Sequence, residues 1–139
     1  MTAIVIDTSA LMALLLQESD AEALLDAAAR AAVVHLSTAS RLELGLVAES
    51  ERHGIEATEV EQLLLALRVE VMPFDQHQLH WALIGWRRYG KGRHPAGLNL
   101  GDCFSYGLAR ALNAPLLFKG TDSTGSDFAA TDVRAALPS

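Results

Sequence analysis

Short apolar segments alternate with longer amphipathic segments along the chain. The apolar segments at residues 3–6, 33–36, 69–72 and 116–118 have the length of strands, and the first three contain several β-branched residues. Between them, apolar residues recur at helical spacing, and two of the connections are long enough for two helices each. The alternation predicts a mostly parallel sheet that is covered by helices on both faces.

Capping residues mark the starts of the predicted helices. Thr8 or Ser9 precedes an apolar helix, and the pairs Ser19–Glu22 and Thr58–Glu61 have the spacing of capping boxes. Gly- and Pro-bearing segments, among them the loop at residues 91–97, separate the helices. The pattern therefore predicts helices over residues 10–16, 20–32, 40–53 (or from residue 37), 58–68, 76–89 after Asp75, and 100–113 after Asn99.

Length and composition indicate one domain over residues 1–139, half of whose residues are hydrophobic. The longest apolar run, residues 10–16, is far shorter than a bilayer span, and no basic segment precedes an apolar one as in a secretory signal. The single cysteine, Cys103, excludes an intramolecular disulfide and fits a reducing compartment. We therefore expect a cytoplasmic protein without a membrane segment.

The net charge of −6 argues against a protein that binds nucleic acid through broad phosphate contacts. It does not exclude an enzyme with a local basic surface or with acidic residues that hold metal ions. The sequence offers both features.

Acidic residues occur near the carboxyl ends of the predicted strands, the edge at which α/β proteins bind ligands. Asp7 follows the first strand, Glu43 lies about two turns past the second, and Asp102 lies in the first turn of the helix that leads into the fourth. Asp122 or Asp127 follows the fourth strand. Clustered carboxylates stay ionised only beside a cation, and their oxygens suit Mg²⁺ or, as a substitute, Mn²⁺.

Each of these carboxylates also has a structural explanation. Asp7 is placed to cap a helix, and Asp127 is placed as a turn residue. Glu43 is three residues after Ser40, and Asp102 has the same spacing from Asn99, so both fit capping boxes. Their joint placement at one edge of the sheet, rather than any one of them, favours a functional site.

Basic residues are concentrated just before Asp102. The basic cluster, as we name it, holds four of the eleven Lys and Arg residues of the chain: Arg87, Arg88, Lys91 and Arg93. Cations at the end of a helix are common because they compensate the helix dipole. The alternative is a surface that binds the phosphates of a nucleic acid beside an acidic metal site.

Several segments resemble one protein family. The opening IVIDTSALMALLLQE, the segment STASRLELGLV, and above all YGKGRHPAGLNLGDCFSYGLA with the later PLLFKG and DFAATDV resemble the PIN-domain VapC-type toxins of bacterial toxin–antitoxin pairs. The resemblance covers nearly the whole chain, and GLNLGDCFSYGLA is its most specific part. It implies a three-layer α/β/α sandwich with a mostly parallel four- to five-stranded sheet.

The resemblance also implies a Mg²⁺-dependent endoribonuclease that cuts structured RNA, is inhibited by a cognate VapB-type antitoxin, and often forms homodimers. Asp7, Glu43 and Asp102 match the acidic triad of the family, and Asp127 matches its late acidic position. In this reading Asp7 and Asp102 bind Mg²⁺ directly, Glu43 completes the metal shell or orients the attacking water, and Asp127 acts through water. Residues 121–126 are inserted before Asp127, which leaves Asp122 as an alternative.

Two other functions compete with a ribonuclease toxin. Asp7 could be the phosphoryl-accepting nucleophile of a phosphatase-like enzyme, but the usual second Asp two residues later is replaced by Ser9. A non-catalytic binding module of the same fold would not need the acidic triad. For the antitoxin, the apolar helix at residues 10–16 suggests a docking groove beside it, with burial of that helix in the core as the alternative.

Overall fold

The computed structural model describes residues 2–119, which form four strands and six helices. In chain order these are β1 (Ala3–Ile6), α1 (Thr8–Leu15), α2 (Ala21–Arg30), β2 (Val33–Ser37), α3 (Thr38–Ala48), α4 (Ala57–Ala66), β3 (Val69–Met72), α5 (Gln76–Tyr89), α6 (Leu100–Leu112) and β4 (Leu116–Leu117). The predicted strand and helix order is confirmed. The late acidic residues, Asp122 and Asp127, lie outside the described residues.

The sheet has the strand order β3-β2-β1-β4, and every neighbouring pair is parallel. Val5 pairs with His35 on one side of β1 and with Leu116 on the other. Because crossovers between parallel strands are right-handed, the connections from β1 through β3 lie on one face and the β3–β4 connection lies on the other. The predicted α/β sandwich is confirmed, and the gap beside the end of β1 is the topological switch point at which such folds bind ligands.

The helix that follows β1 belongs to the core. Ala10, Leu11 and Ala13 are buried, and of the apolar segment only Leu16, just past the end of α1, is clearly exposed. The described part of α1 therefore offers little apolar surface to a partner, and the alternative of a buried helix describes it better than the docking groove. The apolar side chains of α1 belong to the same hydrophobic core as those of β1 and β2.

Two of the predicted capping boxes are wrong, because both helices begin at other residues. In α2 the N-cap is Asp20, whose side chain makes no capping bond and instead lies 3.7 Å from Lys119 Nζ. In α4 the helix begins before Thr58, and Glu61 pairs with Arg41 at 2.7 Å.

The caps that position the later helices are confirmed. Asp75 accepts a hydrogen bond from the Gln78 amide at 2.9 Å, and Asn99 forms a full capping box at the start of α6. Helix α3 ends at Ala48 rather than at residue 53, and the chain then turns through Gly54, whose φ of 57° suits glycine.

Glycines let α5 and α6 pack closely together. A Cβ at Gly85 would overlap the ring of Tyr106, and a Cβ at Gly107 would lie 2.5 Å from the backbone oxygen of Gln78. This close pair fixes the start of α6, and hence Asp102, beside the ends of the strands. None of the helices in residues 2–119 combines the length and the apolar character needed to cross a membrane.

Candidate active site

Asp7 is the buried centre of the site. It is 4% exposed and immediately follows β1, where its own amide donates to the carbonyl oxygen of Leu117 in β4 at 2.9 Å. Its Oδ2 caps α1 by accepting a hydrogen bond from the Ser9 amide at 3.0 Å, and its Oδ1 accepts one from the Ser105 hydroxyl at 2.5 Å. The capping role expected for Asp7 is therefore real, and it coexists with a position at the switch point of the sheet.

Glu43 lies on α3, in the middle of the helix and not at its start. The N-cap of α3 is Ser37, so the capping-box explanation with Ser40 is wrong. The carboxylate of Glu43 lies against Gly101 at the start of α6, where any Cβ would overlap it. Burial raises the pKa of Glu43, the nearby Thr8 hydroxyl lowers it, and the charge of Asp7 raises it further. Glu43 therefore shares its surroundings with both Asp7 and the first turn of α6.

Asp102 also has two roles. Its Oδ2 accepts a hydrogen bond from the Asn99 amide at 3.0 Å, so the predicted capping box is present. Burial, followed by the charge of Asp7, raises the pKa of Asp102 from 3.8 to about 7, while the Asn99 hydrogen bond lowers it and the charge of Glu43 raises it. The carboxyl of Asp102 thus lies in the electrostatic field of both other acidic residues.

The structure brings together three of the acidic residues that the sequence singled out: Asp7, Glu43 and Asp102. Like charges raise each other's pKa, and a bound cation removes that penalty. The donor set is entirely carboxylate oxygen, which fits a hard divalent ion such as Mg²⁺. Within residues 2–119 no three acidic, histidine or cysteine side chains already converge as a complete ligand group. The fit therefore rests on the chemistry of these donors and on their mutual repulsion.

Hydroxyl groups that sequence analysis did not single out surround this cluster. Ser40 and Ser105 are both buried, and their Oγ atoms are 3.4 Å apart. The Thr8 hydroxyl donates to the Ser40 carbonyl oxygen at 3.2 Å. In the sequence, a serine within an apolar helical pattern looks like a small core residue. The one signal for Ser105 is its position one helical turn after Asp102.

The basic cluster is exposed at the end of α5 and in the loop that follows. Gly90 and Leu98 form a bridge that closes this loop and returns the chain to the cap of α6. The guanidinium of Arg93 lies 4.2 Å from the centre of the Trp86 ring, a cation–π contact. Arg87, Arg88 and Lys91 are exposed and available to a charged partner.

Comparisons with known proteins show which sequences and folds this chain is similar to. The sequence model of the PIN domain matches residues 4–131. The chain is 48% identical over 131 residues to a ribonuclease VapC of Mycolicibacterium smegmatis, which covers 94% of this chain and 98% of the relative. It is also 48% identical over 126 residues to ribonuclease VapC30 of Mycobacterium tuberculosis, with coverage of 90% and 95%.

Solved structures share the fold at low sequence identity. Mycobacterium tuberculosis VapC20, described as a toxin that cleaves the sarcin–ricin loop, has a TM-score of 0.64 at 19% identity and covers 91% of this chain and 97% of its own. The VapBC2 complex of Rickettsia felis, bound to a promoter DNA fragment, has a TM-score of 0.63 at 16% identity, with coverage of 84% and 86%. The chain belongs to the PIN domain family and, within it, to the VapC ribonucleases.

Proposed function

We propose that this chain, acting as a single domain, is the ribonuclease toxin of a toxin–antitoxin pair. It cleaves RNA phosphodiesters with a divalent metal ion, Mg²⁺, bound at Asp7, Glu43 and Asp102. The observation that carries this proposal is the placement of these three carboxylates. Asp7 is buried at the end of β1, the Glu43 carboxylate lies against Gly101, and Asp102 lies in the same first turn of α6. Such crowding is costly without a cation, and a chain that needed only helix caps would not require Glu43 there.

Each carboxylate has a distinct part in the proposed chemistry. A divalent metal held here would supply a water of lowered pKa and would stabilise the charge that develops on the phosphodiester. Asp7, fixed through both oxygens, and Asp102, fixed through one, would be its direct ligands. Glu43 lies against Gly101 and either completes the shell or orients the attacking water. Asp127, or in its place Asp122, would contribute a fourth carboxylate through water.

The substrate we propose is RNA, with the basic cluster as its phosphate-binding surface. Its exposed cations follow α5 and precede the cap of α6, so they border the segment that carries Asp102. The net charge of the chain is negative, so a local group of cations is needed to bring a polyanion to an acidic site.

The proposed protein partners are an antitoxin and a second copy of the chain. Solved relatives include toxin–antitoxin complexes. A groove of about 580 Å³ on α3 is lined by exposed leucines, Leu42 and Leu46, together with Arg41 and Glu49, and we assign this mixed surface to the antitoxin. A mostly apolar hollow of about 320 Å³ between α5 and α6 suits the more apolar interface of a homodimer, and Leu83 is one of its exposed lining residues.

The test of this function is cleavage of total RNA by the purified chain in Mg²⁺ and in EDTA. Asp7→Asn keeps a side-chain oxygen that can cap α1 but removes the charge, and we expect it to lose at least about 100-fold in cleavage rate. Asp75→Asn is the matched control, because Asp75 caps α5 in the same way and is exposed. Cleavage that persists in EDTA, or equal losses in both variants, would contradict a metal-dependent site at Asp7.

A further inference from the structure

A pair of buried serine hydroxyls connects α3 to the carboxylate of Asp7. Ser105 is 1% exposed and donates to Asp7 Oδ1 at 2.5 Å, and Ser40, 0% exposed, has its Oγ 3.4 Å from that of Ser105. Hydroxyl groups without partners are costly in an apolar interior, and serine is a poor residue for the middle of a helix. Packing alone would be better served by alanine at position 105.

The direction of these hydrogen bonds follows from the number of protons available. An ionised carboxylate can only accept hydrogen bonds, so the Ser105 hydroxyl donates its single hydrogen to Asp7. Ser105 then has none left for Ser40, and the Ser40 hydroxyl must be the donor between the two serines. The result is a relay in which Ser105 orients Asp7 through a short hydrogen bond, and Ser40 contacts Ser105 through a longer and weaker one.

This relay leaves Asp7 with little freedom to rotate. Its Oδ2 is held by the Ser9 amide on α1, and its Oδ1 is held by Ser105 on α6, so two different helices fix the plane of the carboxylate. Each oxygen has a second lone pair, and those remaining pairs are the ones available to a cation. Partners of this kind typically change metal affinity by about 10- to 100-fold when they are removed.

We propose that Ser105 is a positioning residue for the metal site, which fixes the carboxylate of Asp7 for metal binding and is itself oriented by Ser40. This inference rests on the proposed function, because it concerns the metal that Asp7 would hold. It predicts that the loss of one buried hydroxyl, at a residue that does not contact the metal, weakens metal binding while the chain remains folded.

The test is Mn²⁺ binding followed by electron paramagnetic resonance, with circular dichroism as the check of folding. We expect Ser105→Ala to bind Mn²⁺ about 10- to 100-fold more weakly and Ser105→Thr, which keeps the hydroxyl, to stay within about 3-fold of the wild type. In cleavage assays the Mg²⁺ concentration for half-maximal rate should rise for Ser105→Ala more than the rate at saturating Mg²⁺ falls.

Ser37→Ala is the matched control. Ser37 is also a fully buried serine with a hydrogen bond, from the Ala39 amide at 3.1 Å, and it caps α3 without contacting Asp7. We expect this variant to bind Mn²⁺ within about 2-fold of the wild type, since it touches no group of the relay. Equal weakening in Ser37→Ala and Ser105→Ala would trace the effect to general destabilisation and overturn the proposal.

Two further outcomes separate this inference from the proposed function. If the wild type binds no Mn²⁺, the proposed function fails, and the positioning role fails with it. If the wild type binds and Ser105→Ala binds equally well, only the positioning role is refuted. If Ser105→Ala does not fold, Ser40→Ala takes its place, with weaker Mn²⁺ binding supporting the relay and unchanged binding refuting it.

Discussion

Removing the charge of Asp102 should stabilise the metal-free protein at alkaline pH. Burial and the charges of Asp7 and Glu43 raise the pKa of Asp102 from 3.8 to about 7, so the folded chain holds a proton that the unfolded chain releases above pH 3.8. Because the folded state binds more protons in this window, the contribution of Asp102 to the free energy of unfolding falls as the pH rises from about 4 to about 7, and it does not change further above that.

The size of the stabilisation follows from the two pKa values of Asp102, in the folded and in the unfolded chain. At about 1.4 kcal/mol per pKa unit, the rise from 3.8 to about 7 sets an upper limit of about 4 kcal/mol, and the high effective dielectric near the surface reduces this to about 2 kcal/mol. Asp102→Asn removes this cost but keeps an oxygen for the Asn99 amide. It also loses a favourable charge at a helix start, worth about 0.3–1 kcal/mol. The net gain at pH 8 should be about 1–2 kcal/mol.

Urea unfolding of the wild type and Asp102→Asn in EDTA at pH 4 and pH 8 measures this difference. We expect the two curves to lie close together at pH 4 and the variant to be more stable at pH 8. Adding Mg²⁺ at pH 8 should stabilise the wild type more than the variant, because binding to the folded state adds to its stability. Asp75→Asn, which removes an exposed charge from the start of α5, should show no gain. A variant that is less stable than the wild type at pH 8 would mean that Asp102 serves as a helix cap alone.

Two further predictions concern surfaces outside the acidic cluster. Replacing the four residues of the basic cluster with alanine should weaken RNA binding and leave Mn²⁺ affinity unchanged. The slope of log K against log salt concentration should become shallower by about 0.7 for each phosphate that is no longer neutralised. An unaltered slope would mean that these cations only compensate the dipole at the end of α5. Leu83→Asp should convert the dimer into a monomer, as measured by light scattering, and should keep antitoxin binding. Leu46→Asp should lose antitoxin binding and keep the dimer. A single variant that loses both would contradict the assignment of separate surfaces.

The fold could be predicted because short stretches of sequence are enough to identify its strands and helices. The apolar segments that became β1, β2 and β3 are short and bounded by capping residues, and their alternation with helical periodicity leaves few arrangements other than a parallel sheet. The acidic cluster could be predicted for a related reason, since parallel strands end at one edge. Asp7 lies in the core at that edge, as its place after β1 indicated.

The features that sequence analysis missed depend on contacts between distant segments. Ser105 and Asp7 are 98 positions apart, and nothing in either local pattern indicates their hydrogen bond. Glu61 has the spacing of a capping residue, but its carboxylate instead forms an ion pair with Arg41 on the neighbouring helix. Likewise, the requirement for glycine at position 101 comes from the Glu43 carboxylate on α3, which lies where a Cβ would be.

The double role of Asp7 and Asp102 as helix caps and as acidic site residues has a consequence for how this chain could lose its toxicity. Asparagine at either position retains an oxygen for the Ser9 or Asn99 amide, so the helix still begins at the same residue. Under the proposed function, Asp7→Asn or Asp102→Asn is therefore expected to abolish cleavage while the fold and the α3 groove are retained. We expect such an inactive copy, expressed beside the active chain, to bind the proposed antitoxin and so leave more of the active chain uninhibited.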